Sequence, residues 1–310
     1  MGARVRVGGP AFDLLTHAEL LEQVTAAIDR GSGGTIVTPN VDICRQISRD
    51  RASRALVADA TLVVPDGMPL IWASRLAGRP LPERISGADL IFSLSQRAAA
   101  EGWPIFVLGG LPGGKDEPST ARRAGEALAS RYPGLSVVGS WSPPLEFDPV
   151  PADIAELLRE LIRLQPVLIF VGLGFPKQER LIARLVPHLP RAWFVGCGAA
   201  VPFAAGVVGR APGWMQRVGL EWAFRLASEP RRLARRYLVD DLPFALRMLI
   251  VTAFRRLSGP APVLMVESGQ QVTNLPADRV AVSGQAAQEQ AAQEQAAEVS
   301  AANSELPEAI

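Results

Sequence analysis

The stretch "VLIFVGLGFPKQERL" (residues 167–181) decides the fold. Five consecutive apolar residues, with no polar alternation, suit a strand covered on both faces. Gly172 and Gly174 then break the run, and Pro176 suits the first turn of a helix. The same order recurs along the chain. "TIVT" (35–38), "TLVV" (61–64), "IFVL" (105–108), "LSVV" (135–138) and "AWFV" (192–195) are short apolar runs followed by longer helical patterns. The helical patterns lie near 16–30, 42–58, 86–101, 118–131, 152–165 and 177–187. This alternation predicts an α/β, Rossmann-like, largely parallel sheet with helices on both faces.

Beyond residue 207 the rhythm changes. The strand-like runs stop, and residues 211–257 read as three helices separated at Pro230 and Pro243. Past Gly259 the sequence turns to Ala, Gln, Glu and Ser, with "AAQEQ" repeated at 286–290 and 291–295. Such a composition buries too little apolar surface to offset its ordering entropy. The expected organisation is an α/β core at 1–207, a helical appendage at 208–258 and a disordered tail at 259–310.

Composition bounds the function. The chain has 310 residues, 48% of them hydrophobic and 20% charged, with a formal net charge of +1. Nothing in that balance points to nucleic acid. Cys44 and Cys197 lack any C-x-x-C or His spacing, so both read as buried thiols in a reducing compartment. The N-terminus shows no apolar signal segment, and no run reaches the roughly 20 apolar residues of a spanning helix. The expected location is the cytoplasm.

In an open parallel sheet, ligands bind at the carboxyl ends of the strands. Several polar residues fall there. Thr38, Asn40 and Asp42 follow the first run; helix capping is the competing explanation for them. Asp66 rides a Pro-Asp-Gly turn after the second run, where a carboxylate is free to take a proton from a hydroxyl, although Asp also favours turns. Arg84, Gly87 and Asp89 occupy the loop and helix start that follow; a guanidinium there suits a phosphate. Gly109, Gly110, Gly113 and Gly114 let backbone amides approach an anion. Their spacing fits neither G-x-G-x-x-G nor a P-loop, so NAD and ATP sites are poorly supported. Gly172, Gly174 and Pro176 repeat that logic, with Gln178 and Glu179 in the first helical turn; Glu179 also suits the helix dipole.

Taken in order, "TPN" (38–40), "PDG" (65–67), "RISGADL" (84–90), "LGG" (108–110), "VGLGFPKQE" (171–179) and "RAPGWMQRVGLEWAFRLASEPRRLARRY" (210–237) resemble the WecG/TagA/CpsF family, glycosyltransferase family 26. The resemblance implies an inverting transfer of N-acetylmannosamine from a UDP-sugar donor to an undecaprenyl-diphosphate-linked N-acetylglucosamine acceptor, without metal or cofactor. It implies a base at Asp66, sugar-orienting roles for Thr38 and Asn40 with any capping left to Asp42, a diphosphate contact at Arg84 and a substrate contact at Gln178. The chain departs from the family pattern in "GCGAAVPFAAG" (196–206), where Pro202 replaces a common Asp and leaves the donor sugar less determined.

Residues 210–257 carry ten arginines against four carboxylates, and Trp214, Trp222, Phe224, Phe244, Met248, Leu249 and Phe254 supply an apolar side. Basic amphipathic helices lie in the headgroup region of anionic membranes. Arg231, Arg232, Arg235 and Arg236 are the expected contacts to the bilayer or the acceptor diphosphate, which places the protein peripherally on the inner membrane face. A homo-oligomer is left open. The competing functions are a non-catalytic nucleotide-sugar or lipid-diphosphate binding protein and, on fold analogy alone, a nicotinamide-dependent oxidoreductase.

Overall fold

A computed structural model describes residues 3–114, 117–217 and 219–257; the tail expected at 259–310 lies outside them. In chain order the elements are β1 (Arg4–Arg6), β2 (Ala11–Asp13), α1 (His17–Asp29), β3 (Gly34–Val37), α2 (Val41–Arg49), α3 (Arg51–Ala58), β4 (Leu62–Val63), α4 (Met68–Leu76), α5 (Gly87–Glu101), β5 (Ile105–Gly109), α6 (Thr120–Arg131), β6 (Val137–Trp141), α7 (Pro151–Leu164), β7 (Leu168–Gly172), α8 (Lys177–Leu185), β8 (Trp193–Gly196), α9 (Ala200–Ala204), α10 (Gly213–Arg217), α11 (Glu221–Ser228), α12 (Pro230–Ala234) and α13 (Leu242–Leu257). Strands β3 to β8 form one parallel sheet in the order β4-β3-β8-β7-β5-β6. The chain moves outward from β3 to β4 at one edge and from β5 to β6 at the other, with β8 and β7 between, so the strand ends of β3, β8 and β7 mark the switch in direction where such sheets hold ligands.

The apolar runs are legible as two faces. Ile36, Ile105, Val107, Leu168, Phe170, Trp193 and Val195 pack with α1, α5, α6 and α9. Their neighbours Phe106, Leu108, Ile169, Val171 and Phe194 point the other way onto α7 and α8. Val37 and Val63 meet α2, α3, α4 and Met248 of α13 on that same opposite side. Alternation of side chains along a strand thus turns continuous hydrophobicity into two buried layers.

Three expectations at the level of elements are corrected, and one helix was not anticipated. Strand β6 starts at Val137, not 135, because Leu135 N–H closes a turn onto Tyr132 O and Gly139 makes room for the Phe106 ring. The helix expected at 42–58 is two helices, since Asp50 ends α2 and caps α3 through bonds from Ala52 N and Ser53 N. Residues 68–76, hidden behind the Pro-Asp-Gly turn, form α4. Pro243 does not separate helices: a π-helical segment, Arg235–Asp241, runs directly into α13, and Leu242 N–H still bonds Tyr237 O immediately before the proline.

The β1–β2 hairpin, three residues a side, carries no sequence signal of its own. It covers the sheet edge through one ion pair. Arg4 Nε bonds Asp13 at 2.9 Å and its Nη2 reaches Ala60 O and Thr61 O, while Asp13 accepts from Val63 N at 2.8 Å. An edge-strand amide that would otherwise invite another chain is thereby occupied. Cys44 and Cys197 are both buried and unbridged, and burial pushes the Cys197 thiol up to about 12.

Candidate active site

Three loops meet beyond the ends of β3 and β4. Val64 N bonds Val37 O, Asp66 N bonds Pro39 O at 3.0 Å and Ile85 N bonds Pro65 O at 2.9 Å. The backbone thus stitches the "TPN", "PDG" and "RIS" segments into one platform, with Thr38, Asn40, Asp66 and Arg84 upon it. Thr38 is buried, its hydroxyl 3.4 Å from Gly196 O. Asn40, not Asp42, caps α2: its Oδ1 accepts from Ile43 N at 3.0 Å. The amide N–H donors of Asn40 stay available to a ligand, because capping uses only the oxygen. Asp42 is instead buried in an ion-pair network.

Arg84 is the electrostatic centre. Its Nη1 lies 3.6 Å from Asp66 Oδ1 and 3.8 Å from Glu221 Oε2, and its Nη2 donates to Asp89 Oδ2 at 3.2 Å. Only the last is a hydrogen bond; the other two are longer ion pairs. Asp89 has both oxygens engaged, by Arg84, by Ser86 Oγ at 2.6 Å and by Arg210. Burial opposes its ionisation, but the bonds from Ser86 and Arg210 and the two guanidinium charges outweigh it and hold the carboxyl below its usual range. Asp89 therefore anchors Arg84.

Asp66 differs. Its side chain keeps 30% of its surface exposed although protein surrounds the carboxyl at longer range. Desolvation raises its pKa to about 7; Arg84 and Arg225 pull against the shift, while Glu221 and Asp89 add to it. A carboxylate with a pKa near neutrality and an exposed edge has the strength a general base needs.

Glycines shape the other half of the strand-end surface. A side chain at Gly109, where φ is +130°, would put Cβ 2.4 Å from Gly172 O, and one at Gly172 would lie 2.7 Å from Gly198 O. The ends of β5, β7 and β8 are therefore stacked backbone on backbone. Gly109→Ala is expected to cost more than about 3 kcal/mol, combining backbone strain with overpacking; a urea melt of purified variant against wild type measures it. Within the 109–114 loop, Gly110 N bonds Gly172 O and Leu111 N bonds Thr120 Oγ1, so only the remaining amides can meet an anion. Gly87 admits the close approach of α5 to the Cys197 backbone.

Gln178 and Glu179 are both buried and joined to each other. Gln178 Oε1 accepts from Gly174 N at 3.1 Å and Gly198 N at 3.0 Å, and its Nε2 donates to Glu179 Oε1 at 2.8 Å. Both ends of the amide are thus engaged inside the protein, tying two strand-end loops together. Pro176 occupies the cap position of α8, one residue before the expected first turn. Pro202 sits in the first turn of α9, where a missing N–H is harmless. Burial pushes Glu179 up to about 7 against its bond from Gln178.

The sequence reading missed Arg210, Glu221 and Arg225, counting them only as appendage charge. Glu221 and Arg225 are four apart, so α11 presents both on one face. Arg225 also stacks over Phe203 at 5.5 Å. Of the four expected membrane arginines, Arg231 and Arg235 are exposed, whereas Arg236 pairs with Asp42 at 2.6 Å; the side chain of Arg232 lies outside those described. Met248, expected on a lipid-facing side, is buried against Gly8 and Leu70, while Phe244 and Leu249 pack on the same core.

The site is thus a near-neutral carboxylate beside a guanidinium at the ligand-binding edge of a doubly wound parallel sheet. The model of the glycosyl transferase WecG/TagA/CpsF family matches residues 5–258, and the chain belongs to that family. It is similar to proteins named N-acetylglucosaminyldiphosphoundecaprenol N-acetyl-beta-D-mannosaminyltransferase. That of Bacillus spizizenii is 30% identical over 68% of this chain and 77% of its own length. That of Bacillus subtilis is 29% identical over 67% and 77%, and that of Staphylococcus aureus 26% identical over 75% and 88%.

Proposed function

We propose that this glycosyltransferase moves N-acetylmannosamine, with inversion, from a UDP-sugar to the hydroxyl of an undecaprenyl-diphosphate-linked N-acetylglucosamine in cell-envelope polysaccharide synthesis. One observation carries the reading: Asp66, raised to about 7, keeps part of its side chain open at the strand edge without a hydrogen-bonded cation. Asp66 takes the acceptor hydroxyl proton, the oxygen attacks the anomeric carbon, and the bond to the diphosphate breaks with UDP keeping the electron pair. Thr38 and Asn40 lie beside the base and orient sugar hydroxyls.

In-line displacement puts base and leaving group on opposite sides of the anomeric carbon. Arg84, 3.6 Å from the base, belongs to the acceptor side and suits the acceptor's diphosphate. The departing UDP then falls to the glycine loops after β5 and β7, across the sheet. Purified protein should release UDP quickly only when UDP-N-acetylmannosamine and a short-chain lipid-diphosphate N-acetylglucosamine are both present. Release no faster than with donor alone would favour a non-catalytic binder.

The acceptor's lipid places the reaction at an anionic membrane surface, on its cytoplasmic face, with residues 208–258 as the docking element. Leu238, Leu242, Leu246 and Ile250, four residues apart, are all about half exposed. Among the described residues no helix is long and apolar enough to cross a membrane. Exposed Arg231 and Arg235 precede this stripe in sequence, and each arginine near anionic lipid contributes about 1 kcal/mol. Replacing both with Ala should weaken sedimentation with phosphatidylglycerol vesicles at low salt by about thirtyfold; unchanged binding would remove the two arginines from the account.

A further inference from the structure

Asp66, Asp89 and Glu221 converge on Arg84, but they arrive differently. Asp66 and Asp89 come from the α/β core, whereas Glu221 comes from α11, in the appendage. Asp89 holds Nη2 by a hydrogen bond, while Nη1 lies between Asp66 and Glu221 at 3.6 and 3.8 Å, bonded to neither. An arginine drawn by one carboxylate alone closes to hydrogen-bond distance, commonly in a bidentate pair. Here the pull of Glu221 opposes that closure.

We propose that Glu221 is a positioning residue for the transfer reaction: it holds the Arg84 guanidinium off Asp66, so that the base stays open to the acceptor hydroxyl and the cation stays open to the acceptor diphosphate. The inference rests on Asp66 being the base. The charged groups facing Asp66 are Arg84 from the loop before α5, Asp89 from α5, and Glu221 and Arg225 from α11. Removing the Glu221 charge leaves the two arginines opposed only by Asp89, and Asp66 then ionises more readily. The sign follows: the acid limb of kcat/KM, which reports loss of a deprotonated base in the free enzyme, moves to lower pH.

The test is the pH profile of UDP release between pH 5 and 9 for wild type, Glu221→Gln, Glu221→Ala, Glu221→Asp and Asp66→Asn, with thermal melts confirming that each is folded. The expected result is a displaced limb in Glu221→Gln and Glu221→Ala alike, so that the ratio of activity at pH 6 to activity at pH 8 rises above wild type. The charge-retaining Glu221→Asp should return the limb toward the wild-type position. A merely structural Glu221 would lower the rate at every pH and leave the limb unmoved, which would overturn the proposal while leaving Asp66 as base. An Asp66→Asn variant that keeps both activity and limb would instead remove the base itself, and this inference with it.

Discussion

Asp66→Asn is expected to lower kcat by a factor of about 100 to 10,000, the usual consequence of losing a general base. The substitution keeps the shape of the side chain and removes its charge together with its capacity to take a proton. It should not harm the fold. A carboxyl whose pKa is raised in the folded state binds its proton more tightly there than when unfolded, so stability falls as pH climbs from about 4 toward 7 and the full penalty persists above. The neutral amide escapes that penalty. Asp66→Asn should therefore melt at or above the wild-type temperature at pH 8, with the advantage shrinking as pH drops to 4. A variant that is both inactive and less stable at pH 8 would point to a structural carboxylate.

The largest effect on stability is expected from Asp42→Ala. Asp42 binds Arg45 and Gln46 within α2 and reaches Arg236 of the π-helical segment, while Arg45 bonds Asp241 at 3.0 Å. Two carboxylates and two guanidinium groups interlock where the π-helical segment meets α2. Deleting Asp42 leaves two cations against one carboxylate, and breaking a buried pair from one side costs about 3 to 5 kcal/mol. For a protein of this size that amounts to roughly 10 °C in Tm. A melt within about 2 °C of wild type would show that this network holds nothing in place.

Five of the six sheet strands were legible because each is a short apolar run bounded by turn residues, as burial on both faces requires; β6, VVGSW at the sheet edge, is only half buried and its start was misread. The hairpin at 4–13 was not, since three residues a side set no period and its attachment depends on Arg4 finding backbone oxygens some 56 residues away. The site shows the same division. Asp66 and Arg84 could be read as chemistry-bearing residues at strand ends. Their surroundings could not, because Glu221 joins them across 137 residues of chain. Asn40 and Asp42 illustrate a finer limit: both residue types cap helices, and only the path of the backbone determines that Asn40 accepts the bond while Asp42 turns toward Arg45. Likewise Gln178 could be placed at the ligand edge from "PKQE", but not that both ends of its amide would be spent on Gly174, Gly198 and Glu179.

The most direct test of the account is the pH dependence of kcat/KM for wild-type enzyme beside that of Asp66→Asn, measured as UDP release with the lipid-linked acceptor. A base at Asp66 predicts a wild-type acid limb centred near 7 and a residual rate in the variant that is low and flat across the same range. A limb near 7 that survives in Asp66→Asn at an undiminished rate would place the proton acceptor elsewhere and contradict the mechanism.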